Sequence, residues 1–493
     1  MKRLYIALVV LFVAGSTTMA QESIGQRTQA LDDSAWKCAQ WISVKDAPVA
    51  VGRADQIQRA ADGASWFTFE LTNEKKVKSA RWMATALGVF DLFLNGQLVG
   101  EEVLRPGFTH FAKTKRSFTY DITDAFVKKK GKQNVFMAQV TPGWWADKIV
   151  TEGHLEGMYG KKCAFRAVIE LTFTDGTKQL YGTDCEHWRA AIAGPVTHAA
   201  IFDGEDYDER QPQGWASAGS FGEPELNEEF QGQVFPTDGA EIYHRWDLAL
   251  SPVKAYTWKG TTGATDDQFG KVNIVEEFAP GKPMTVRPGE TLVVDFGQNA
   301  SAVPAFEFKA KAGTVLTCLP SELLNDGNGA KSRGMDGPEG STHRLNLRIP
   351  DTGMILRYTF ADNKGFVSFS PRSTFFGYRY VSITATDEVT IRRIESVPVS
   401  SITKEMETGT ITTGSEDINK LISNTLWGQR SNYLSVSTDC PQRNERLGWT
   451  ADTQVFTETG TFFANTDRFF HKWMRDMRDT QSPTGAFPGV APL

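Results

Sequence analysis

The chain has 493 residues, which at roughly 150 residues per domain predicts about three domains. Its 53 Lys and Arg against 59 Asp and Glu give a net charge of -6, and this acidic balance argues against a nucleic-acid partner, which normally meets a basic surface. With 40% hydrophobic and 23% charged residues, the composition is that of a globular protein. It excludes the collagen, coiled-coil and disulfide-scaffold classes.

Residues 1–20 have the pattern of a cleaved secretory signal. Lys2 and Arg3 give a positive start, an apolar run extends from Leu4 to Ala14, and small residues precede Gln21. The apolar run is too short to span a hydrocarbon core of about 30 Å. No later stretch is apolar enough either. We therefore expect a mature chain that begins at Gln21, is not inserted in a membrane, and lies in the periplasm or outside the cell.

The cysteines and histidines do not form a recognisable metal motif. Five cysteines are spread along the chain without a CxxC spacing, and the seven histidines are scattered, which excludes a site of the zinc-finger kind. Cys163 and Cys185 fall on neighbouring predicted strands and could pair as a disulfide. Buried free thiols are the favoured alternative.

The first half of the chain has a β pattern. Between Trp36 and Trp215, short apolar runs alternate with turn sequences such as Asn95-Gly96 and Asp175-Gly176, which are typical of two-residue hairpins. This rhythm predicts an all-β sandwich of jelly-roll type. Four acids between Asp203 and Asp208 favour a structural turn or a loop at a domain contact over a calcium site, because the spacing is not that of an EF-hand.

A second β region follows at about 252–399, with strand-like runs such as Thr291–Phe296. The stretch Asp326–Gly340, rich in Gly, Asp and Asn, predicts an exposed loop within it. We accordingly predict an N-terminal β-sandwich domain at 21–245 and a second β-sandwich domain at 246–408.

The hydrophobic period changes near Ile411, where an all-α region begins. Three stripes have the i, i+3, i+4 spacing of amphipathic helices. The stripes are Ile418, Leu421, Ile422, Thr425 and Leu426; Val455, Phe456, Thr459, Phe462 and Phe463; and Phe469, Phe470, Trp473, Met474 and Met477. Thr413 and Glu416 fit a capping box just before the first stripe.

The loop between the first two stripes concentrates chemistry-bearing side chains. Three acids, two arginines and a tryptophan lie between Asp439 and Asp452, with Pro441 and Gly448 as loop residues. Crowded carboxylates raise one another's pKa, and such an acid keeps a proton to donate to a leaving oxygen. The alternative is a surface loop whose acids pair with Arg443 and Arg446. The residue types alone leave both interpretations open, and the surface loop is the commoner one.

The run from Asp439 to Asp452, DCPQRNERLGWTAD, resembles the signature DCPQRDERLGWTGD of the bacterial α-L-rhamnosidases, glycoside hydrolase family 78, at twelve of 14 positions. Shorter segments resemble the family's β domains in the same order, so the resemblance covers nearly the whole mature chain. These segments are Leu94–Gly96, Gly143–Trp145, Gly194–Pro195, Asp203–Asp208, Asp295–Asn299 and Gly377–Val381.

This resemblance implies an inverting hydrolase that removes terminal α-L-rhamnose from a rhamnose-containing glycoside or polysaccharide. It implies an (α/α)6 barrel that carries the site, and chemistry that needs no metal or organic cofactor. Glu445 aligns with the general acid of the family. Asp439, Arg443 and Asp452 align with residues that bind the rhamnose, and Trp449 aligns with an aromatic wall of the pocket.

Two residues depart from the signature. Asn444 replaces an Asp directly before the acid, but an amide can still hydrogen-bond, so we keep Asn444 as a substrate-binding candidate and expect altered recognition rather than loss of activity. Ala451 replaces a Gly, which is harmless unless that position requires a positive φ.

The larger departure is length. Twelve barrel helices need at least roughly 216 residues, whereas 83 lie between Ile411 and Leu493. We therefore predict a multidomain β plus α fold, in which two jelly-roll-like β-sandwich domains precede the beginning of an (α/α)6 barrel at 409–493, truncated at its C-terminal side. The family's general base is expected beyond Leu493. The alternatives are a non-catalytic carbohydrate-binding fragment of such an enzyme and a hydrolase for another sugar on the same architecture.

Overall fold

The computed structural model describes residues 19, 21–47, 63–149, 155–156, 159–214, 221–266, 268–327, 336–347, 353–361, 365–443 and 445–493. Apart from Met19, the predicted signal sequence lies outside the described residues. Asn444 and the central part of the predicted loop at 326–340 also lie outside them.

The first β region is a sandwich of an eight-stranded and a five-stranded sheet. The larger sheet contains Gln26–Arg27, Ile42–Ser43, Val77–Leu87, Thr114–Asp121, Ala164–Phe173, Lys178–Gly182, Glu225–Leu226 and Gln233–Pro236. The smaller sheet contains Ser65–Thr72, Val89–Leu94, Gln97–Val99, Gln133–Thr141 and Arg189–Ile192.

Alternating side chains fill the space between these two sheets. Phe67, Phe69 and Leu71 occupy every second position of one strand and are buried, as the two-residue period of a strand requires. Phe136, paired with Phe69 in the same sheet, meets Trp82 of the other sheet edge-on, with ring centroids 5.0 Å apart. The first sandwich therefore has an aromatic core of its own.

The second β region is organised around one twelve-stranded sheet. Its strands are Val196–Ala200, Gly204–Asp208, Tyr243–His244, Lys254–Thr262, Lys271–Phe278, Met284–Val286, Thr291–Ala310, Val315–Ser321, Ile355–Thr359, Val367–Phe369, Phe376–Ala385 and Val389–Ser400. The 20-residue strand Thr291–Ala310 is the longest of them. It pairs with Phe376–Ala385 as far as Ala302 and continues against Val389–Ser400, so that it connects two parts of the sheet.

The strand pairing does not change at residue 245, where the sequence placed the domain boundary. The hairpin Val196–Ala200 and Gly204–Asp208 belongs to the second sheet, where Gly204–Asp208 runs parallel to Ile355–Thr359. The chain then returns to the first sandwich at Glu225–Leu226, which pairs with Ile42–Ser43, and at Gln233–Pro236, which pairs with Thr114–Asp121. The acid-rich run expected to be a turn or a loop at a domain contact is thus mostly a strand of the second sheet.

Helices and short elements complete the fold. The α-helices are α1 (Gly143–Ala146), α2 (Glu416–Asn432), α3 (Thr450–Phe463) and α4 (Asp467–Thr480). The 3-10 helices are Asp33–Cys38, Trp246–Leu248, Leu345–Leu347 and Lys404–Met406. Three two-stranded pairs are Lys148–Ile149 with Leu155–Glu156, Leu323–Leu324 with Thr342–His343, and Tyr433–Leu434 with Val436–Ser437.

The three predicted stripes lie on α2, α3 and α4, so the change from β to α structure near Ile411 is confirmed. The predicted capping box is wrong. The N-cap of α2 is Ser415, whose hydroxyl accepts from the N–H of Ile418, while the Thr413 hydroxyl accepts from the N–H of Ser415. Ser415 stands immediately before the first helical residue, which leaves Thr413 to stabilise the turn that leads into the helix.

Two further expectations can be settled on the described residues. Cys163 and Cys185 are not joined by a disulfide, so the disulfide alternative is wrong. Among the described residues, no helix has the length and apolar character to cross a membrane.

Candidate active site

The residues from Asp439 to Trp449 form one closed loop, which we call the acidic loop. The N–H of Asp439 donates to the carbonyl of Leu447 at 3.0 Å, and the N–H of Leu447 returns a bond to Asp439 Oδ1 at 2.9 Å. Burial raises the pKa of Asp439, and the charge of Glu445 adds to this effect. Asp439 therefore holds the two ends of the loop together.

Glu445 lies between a cation and an indole donor. Arg443 binds its Oε2 through Nε at 3.0 Å and Nη2 at 2.8 Å, and Trp449 Nε1 donates to its Oε1 at 3.2 Å. The Arg443 Nη2 atom also lies 3.9 Å from Asp439 Oδ2. The loop thus brings two carboxyl groups, one guanidinium and one aromatic ring to a single place.

Of the predicted site residues, Asp439, Arg443, Glu445 and Trp449 come together. Asp452 is exposed in the first turn of α3, and within the described part of the chain it makes no hydrogen bond or ion pair with those four. Its negative charge is well placed at a helix N-terminus. The substrate-binding role of Asp452 stays a prediction, as does that of Asn444.

The chain's last residues hold the exit of the acidic loop. Ala491 donates its N–H to the carbonyl of Gly448 at 2.9 Å, and Thr450 donates to the carbonyl of Gly489 at 2.9 Å. A side chain at Gly448 would place its Cβ 2.1 Å from the Ala491 oxygen. Glycine is therefore needed at 448 for this close approach of two backbones.

The second β region packs directly against the acidic loop. A Cβ on Gly377 would lie 2.7 Å from the backbone nitrogen of Gln442, so the loop rests directly on the strand Phe376–Ala385. Ser301, the strand partner of Gly377, donates its N–H to the hydroxyl of Ser431 at 3.1 Å. The end of this sheet is thus in backbone contact with the helical region.

Glu322, which directly follows the strand Val315–Ser321, was not singled out from the sequence. Its Oε1 accepts from Asn299 Nδ2 at 2.8 Å, and burial raises its pKa while the charge of Arg443 opposes that rise. A third carboxyl group therefore acts on Arg443 from another domain. Asn299 belongs to a segment that resembled the family's β domains, but no local pattern indicated Glu322.

The surface-loop alternative expected Arg446 to pair with the acids of the loop. In the structure, Arg446 is instead buried against the β regions. Its side chain is 5% exposed, and its guanidinium lies 4.1 Å from the Phe375 ring centroid and 5.0 Å from that of Phe202. Only Arg443 of the two arginines pairs with Glu445 among the described contacts. No sequence pattern distinguished the surroundings of these two side chains.

Asp439, Cys440 and Glu445 also place possible ligand atoms within 4.8 Å of one another. Burial raises the pKa of the Cys440 thiol to about 12, which keeps it protonated and makes it a poor metal ligand. Arg443 already compensates the two carboxylates. The grouping therefore fits an acid–base site better than a metal centre.

Three family models match successive parts of this fold. Residues 75–228 match the α-L-rhamnosidase N-terminal domain, 285–400 match the bacterial α-L-rhamnosidase concanavalin-like domain, and 406–493 match the bacterial α-L-rhamnosidase 6 hairpin glycosidase domain. The predicted fold class, two β regions followed by the helices of such a domain, is confirmed.

Two α-L-rhamnosidases are similar in sequence to this chain along nearly its whole length. An α-L-rhamnosidase of Streptomyces avermitilis is 33% identical over 95% of this chain and 40% of its own length. One of Formosa agariphila is 30% identical over 94% of this chain and 45% of its own length. The chain thus spans less than half the length of these two relatives.

Solved structures give the same result. The Streptomyces avermitilis α-L-rhamnosidase complexed with L-rhamnose has 30% identity and a TM-score of 0.70 over 87% of this chain and 37% of that one. The α-L-rhamnosidase of Aspergillus terreus has 25% identity and a TM-score of 0.72 over 94% and 47%. Fold and comparisons together place the chain in the class of proteins that contain a six-hairpin glycosidase domain. Within that class, the chain belongs to the bacterial α-L-rhamnosidase family.

Proposed function

We propose that this chain is part of an enzyme that hydrolyses terminal non-reducing α-L-rhamnose from α-L-rhamnosides, with inversion at the anomeric carbon and Glu445 as the general acid. The observation that carries the proposal is the acidic loop, in which Glu445 is held by Arg443 and Trp449. The relative whose structure contains L-rhamnose supports the choice of sugar. A rhamnose-containing glycoside or polysaccharide is the substrate partner.

In this mechanism Glu445 gives its proton to the glycosidic oxygen as the bond between that oxygen and the anomeric carbon breaks. A second carboxylate, about 6.5–9.5 Å away, takes a proton from the water that attacks the opposite face. We place this base in residues beyond Leu493. Arg443 and Asp439 bind sugar hydroxyls.

Trp449 is 37% exposed, so its ring is open to a ligand while its N–H holds Glu445. Aromatic faces of this kind pack against the apolar face of a sugar ring. We therefore assign Trp449 to one wall of the rhamnose pocket. The alternative, a carbohydrate-binding fragment without catalysis, predicts L-rhamnose binding with no turnover even when the base is supplied.

The acid assignment is tested by Glu445→Gln in a protein that also contains the base. Loss of proton donation should lower the rate roughly 10²–10⁴-fold for rhamnosides with poor leaving groups, and less for activated aryl rhamnosides, which need little acid help. Rates are measured on one substrate of each kind. Glu458→Gln, on an exposed position of α3, is the matched control and should leave both rates unchanged. Wild-type rates on both substrates for Glu445→Gln would show that another group is the acid.

We further propose export of the chain to the periplasm or the exterior, with cleavage before Gln21. The charged start, the short apolar run and the small residues at Thr18 and Ala20 support it. N-terminal sequencing of secreted material should return Gln21. Recovery of Met1 would contradict the proposal.

A further inference from the structure

Arg446 is a buried cation that the proposed mechanism does not use. It is 5% exposed and has a left-handed backbone, with φ of 55°. A non-glycine residue in this region is uncommon and is retained where the surrounding structure holds it. Its position is immediately after the proposed acid, Glu445.

The backbone turn at Arg446 separates two neighbouring side chains. Glu445 contacts Arg443 and Trp449, whereas Arg446 extends to the β regions and donates from Nη1 to the carbonyl of Ile201 at 2.8 Å. The direction of the acid and the anchoring of Arg446 are therefore consequences of the same backbone conformation.

The carbonyl that Arg446 binds is itself fixed from several sides. Ile201 donates its N–H to Asp147, which follows α1 of the first sandwich. The hydroxyl of Thr374, in the second β region, donates to the same Ile201 carbonyl at 3.1 Å. Arg446 thus reaches a point where both β regions are already in contact.

The guanidinium is held chiefly by rings and charges. Phe375 and Phe202 lie 4.1 Å and 5.0 Å from it, at distances where an aromatic face attracts a cation. Its Nε and Nη2 have no hydrogen-bond partner in the part of the chain that the structure describes. Burial lowers the pKa of Arg446, while the nearby charges of Asp147 and Asp203 oppose this change.

Burying an arginine with two unbonded nitrogens is costly, and an apolar side chain of similar size would fill the same space without that cost. What an apolar side chain cannot do is bind the Ile201 carbonyl and so fix the rotation of the acidic loop. We propose that Arg446 is a positioning residue, which ties the acidic loop to the Ile201 carbonyl and thereby directs Glu445 toward Arg443 and Trp449. This inference deepens the proposed function and rests on the role given there to Glu445.

The hydrogen bond from Trp449 to Glu445 provides a readout that requires neither sugar nor turnover. The chain has 13 tryptophans, and labelling them with 15N gives one indole N–H signal for each in an NMR spectrum. Trp449→Phe assigns the Trp449 signal, and Glu445→Gln shows where that signal moves when its carboxylate acceptor becomes an amide. Trp188, whose indole donates to the carbonyl of Gly182 at 3.0 Å, serves as an internal reference.

We expect Arg446→Met to shift or broaden the Trp449 signal while leaving the Trp188 signal in place. Arg446→Lys, which keeps a charge and a donor but not the planar stacking, should restore part of the wild-type position. Arg344→Met is the matched control, because Arg344 is also buried and also binds backbone carbonyls, those of Pro320 and Gly353.

An unchanged Trp449 signal in folded Arg446→Met, or an equal shift in Arg344→Met, would overturn the positioning role. If Arg446→Met does not fold, Phe375→Leu decides, since it removes one ring from the guanidinium and should shift the same signal in the same direction. The proposed function fails separately, on the hydrolysis assay described above. An enzyme without rhamnosidase activity whose Trp449 signal still responds to Arg446 would refute the function and leave the positioning intact.

Discussion

Glu205 is a buried carboxyl group at the junction of the two β regions. It is 2% exposed, and its Oε2 accepts from the backbone N–H groups of Ser373 at 3.0 Å and Arg372 at 3.3 Å. Burial raises its pKa from 4.5 to about 7, because the two N–H donors only partly replace the lost hydration. The pKa of Asp91, in the same junction, is shifted in the opposite direction. Although Asp91 is buried, the positive charges of Arg372 and Arg105 hold its pKa at about 2.

These two carboxyl groups predict opposite pH behaviour. The raised pKa of Glu205 means that the folded state takes up a proton more readily than the unfolded state, so this stabilisation is complete below pH 4.5 and is lost as the pH rises through 7. Glu205→Gln should therefore gain stability relative to the wild type between pH 5 and 8, by up to about 3 kcal/mol. Thermal unfolding at several pH values measures this difference.

Asp91→Asn is the control for that experiment. Because Asp91 titrates near pH 2, its replacement should destabilise the protein throughout pH 5 to 8 with a much weaker pH dependence than that of Glu205→Gln, since the charge of Asp91 contributes only a minor part of the raised pKa of Glu205. A constant difference between Glu205→Gln and the wild type over the same range would contradict the raised pKa of Glu205.

At the residue scale, the sequence located the acidic loop because its residues are adjacent in the chain. Asp439, Arg443, Glu445 and Trp449 lie within eleven positions, and the structure brings them together. The contacts of Glu205 and Arg446 could not be predicted in this way. The hydrogen-bond partners of their side chains are 167 or more positions away, and no local pattern encodes such a separation.

Among the structural elements, the strand Phe376–Ala385 and the acidic loop are in close backbone contact. Gly377→Ala should displace the loop, because its Cβ would lie 2.7 Å from the nitrogen of Gln442, which is backbone and cannot rotate away. We expect a loss of about 1–3 kcal/mol in unfolding free energy, the usual result of overpacking. Chemical denaturation measures it, and the Trp449 indole signal should move as well.

Gly222 provides the comparison for Gly377. It has no atom within 4 Å of its added Cβ and makes a bridge with Ala190, so Gly222→Ala should be close to neutral. Equal stability of the two alanine variants would show that the acidic loop can shift without cost.

The presence of the helices α2, α3 and α4 was predictable from the 3.6-residue period, since each coincides with a stripe. The first residue of α2 was not predictable, because Ser415 and Thr413 are both good capping residues and only the backbone geometry shows which of them is the N-cap. The strand Gly204–Asp208 was missed for another reason. Its acids break the expected apolar alternation, and its pairing with Ile355–Thr359 is parallel and distant.

In the whole molecule, the helical region exposes apolar side chains. Leu421 of α2, Val455 of α3 and Met474 of α4 are 65%, 83% and 61% exposed. The same helices are unequally attached to the β regions. In α4, Lys472 donates to the carbonyl of Phe108 and Asp479 accepts from the hydroxyl of Thr114 at 2.6 Å.

We predict that the 493-residue chain alone has little or no activity on an aryl α-L-rhamnoside. An inverting mechanism needs two carboxyl groups on opposite faces of the sugar, and the signature supplies one of them. Turnover at ordinary enzyme rates would contradict this prediction. Limited proteolysis of the same sample should cut α3 before α2 or α4, since α2 is bound to the second β region through Ser431 and α4 is bound to the first sandwich. Earlier cleavage within the sandwiches would show that the helices are the more stable part.

The path of the chain through the two β regions limits which chimeras can be made between this protein and its relatives. Because the hairpin at 196–208 completes the second sheet before the chain returns at Gln233–Pro236 to complete the first, no single crossover point separates one sandwich from the other. A chimera that exchanged residues up to 245 for those of a relative would import a foreign edge strand for Ile355–Thr359. Swapping either sandwich between relatives therefore requires both to be exchanged together.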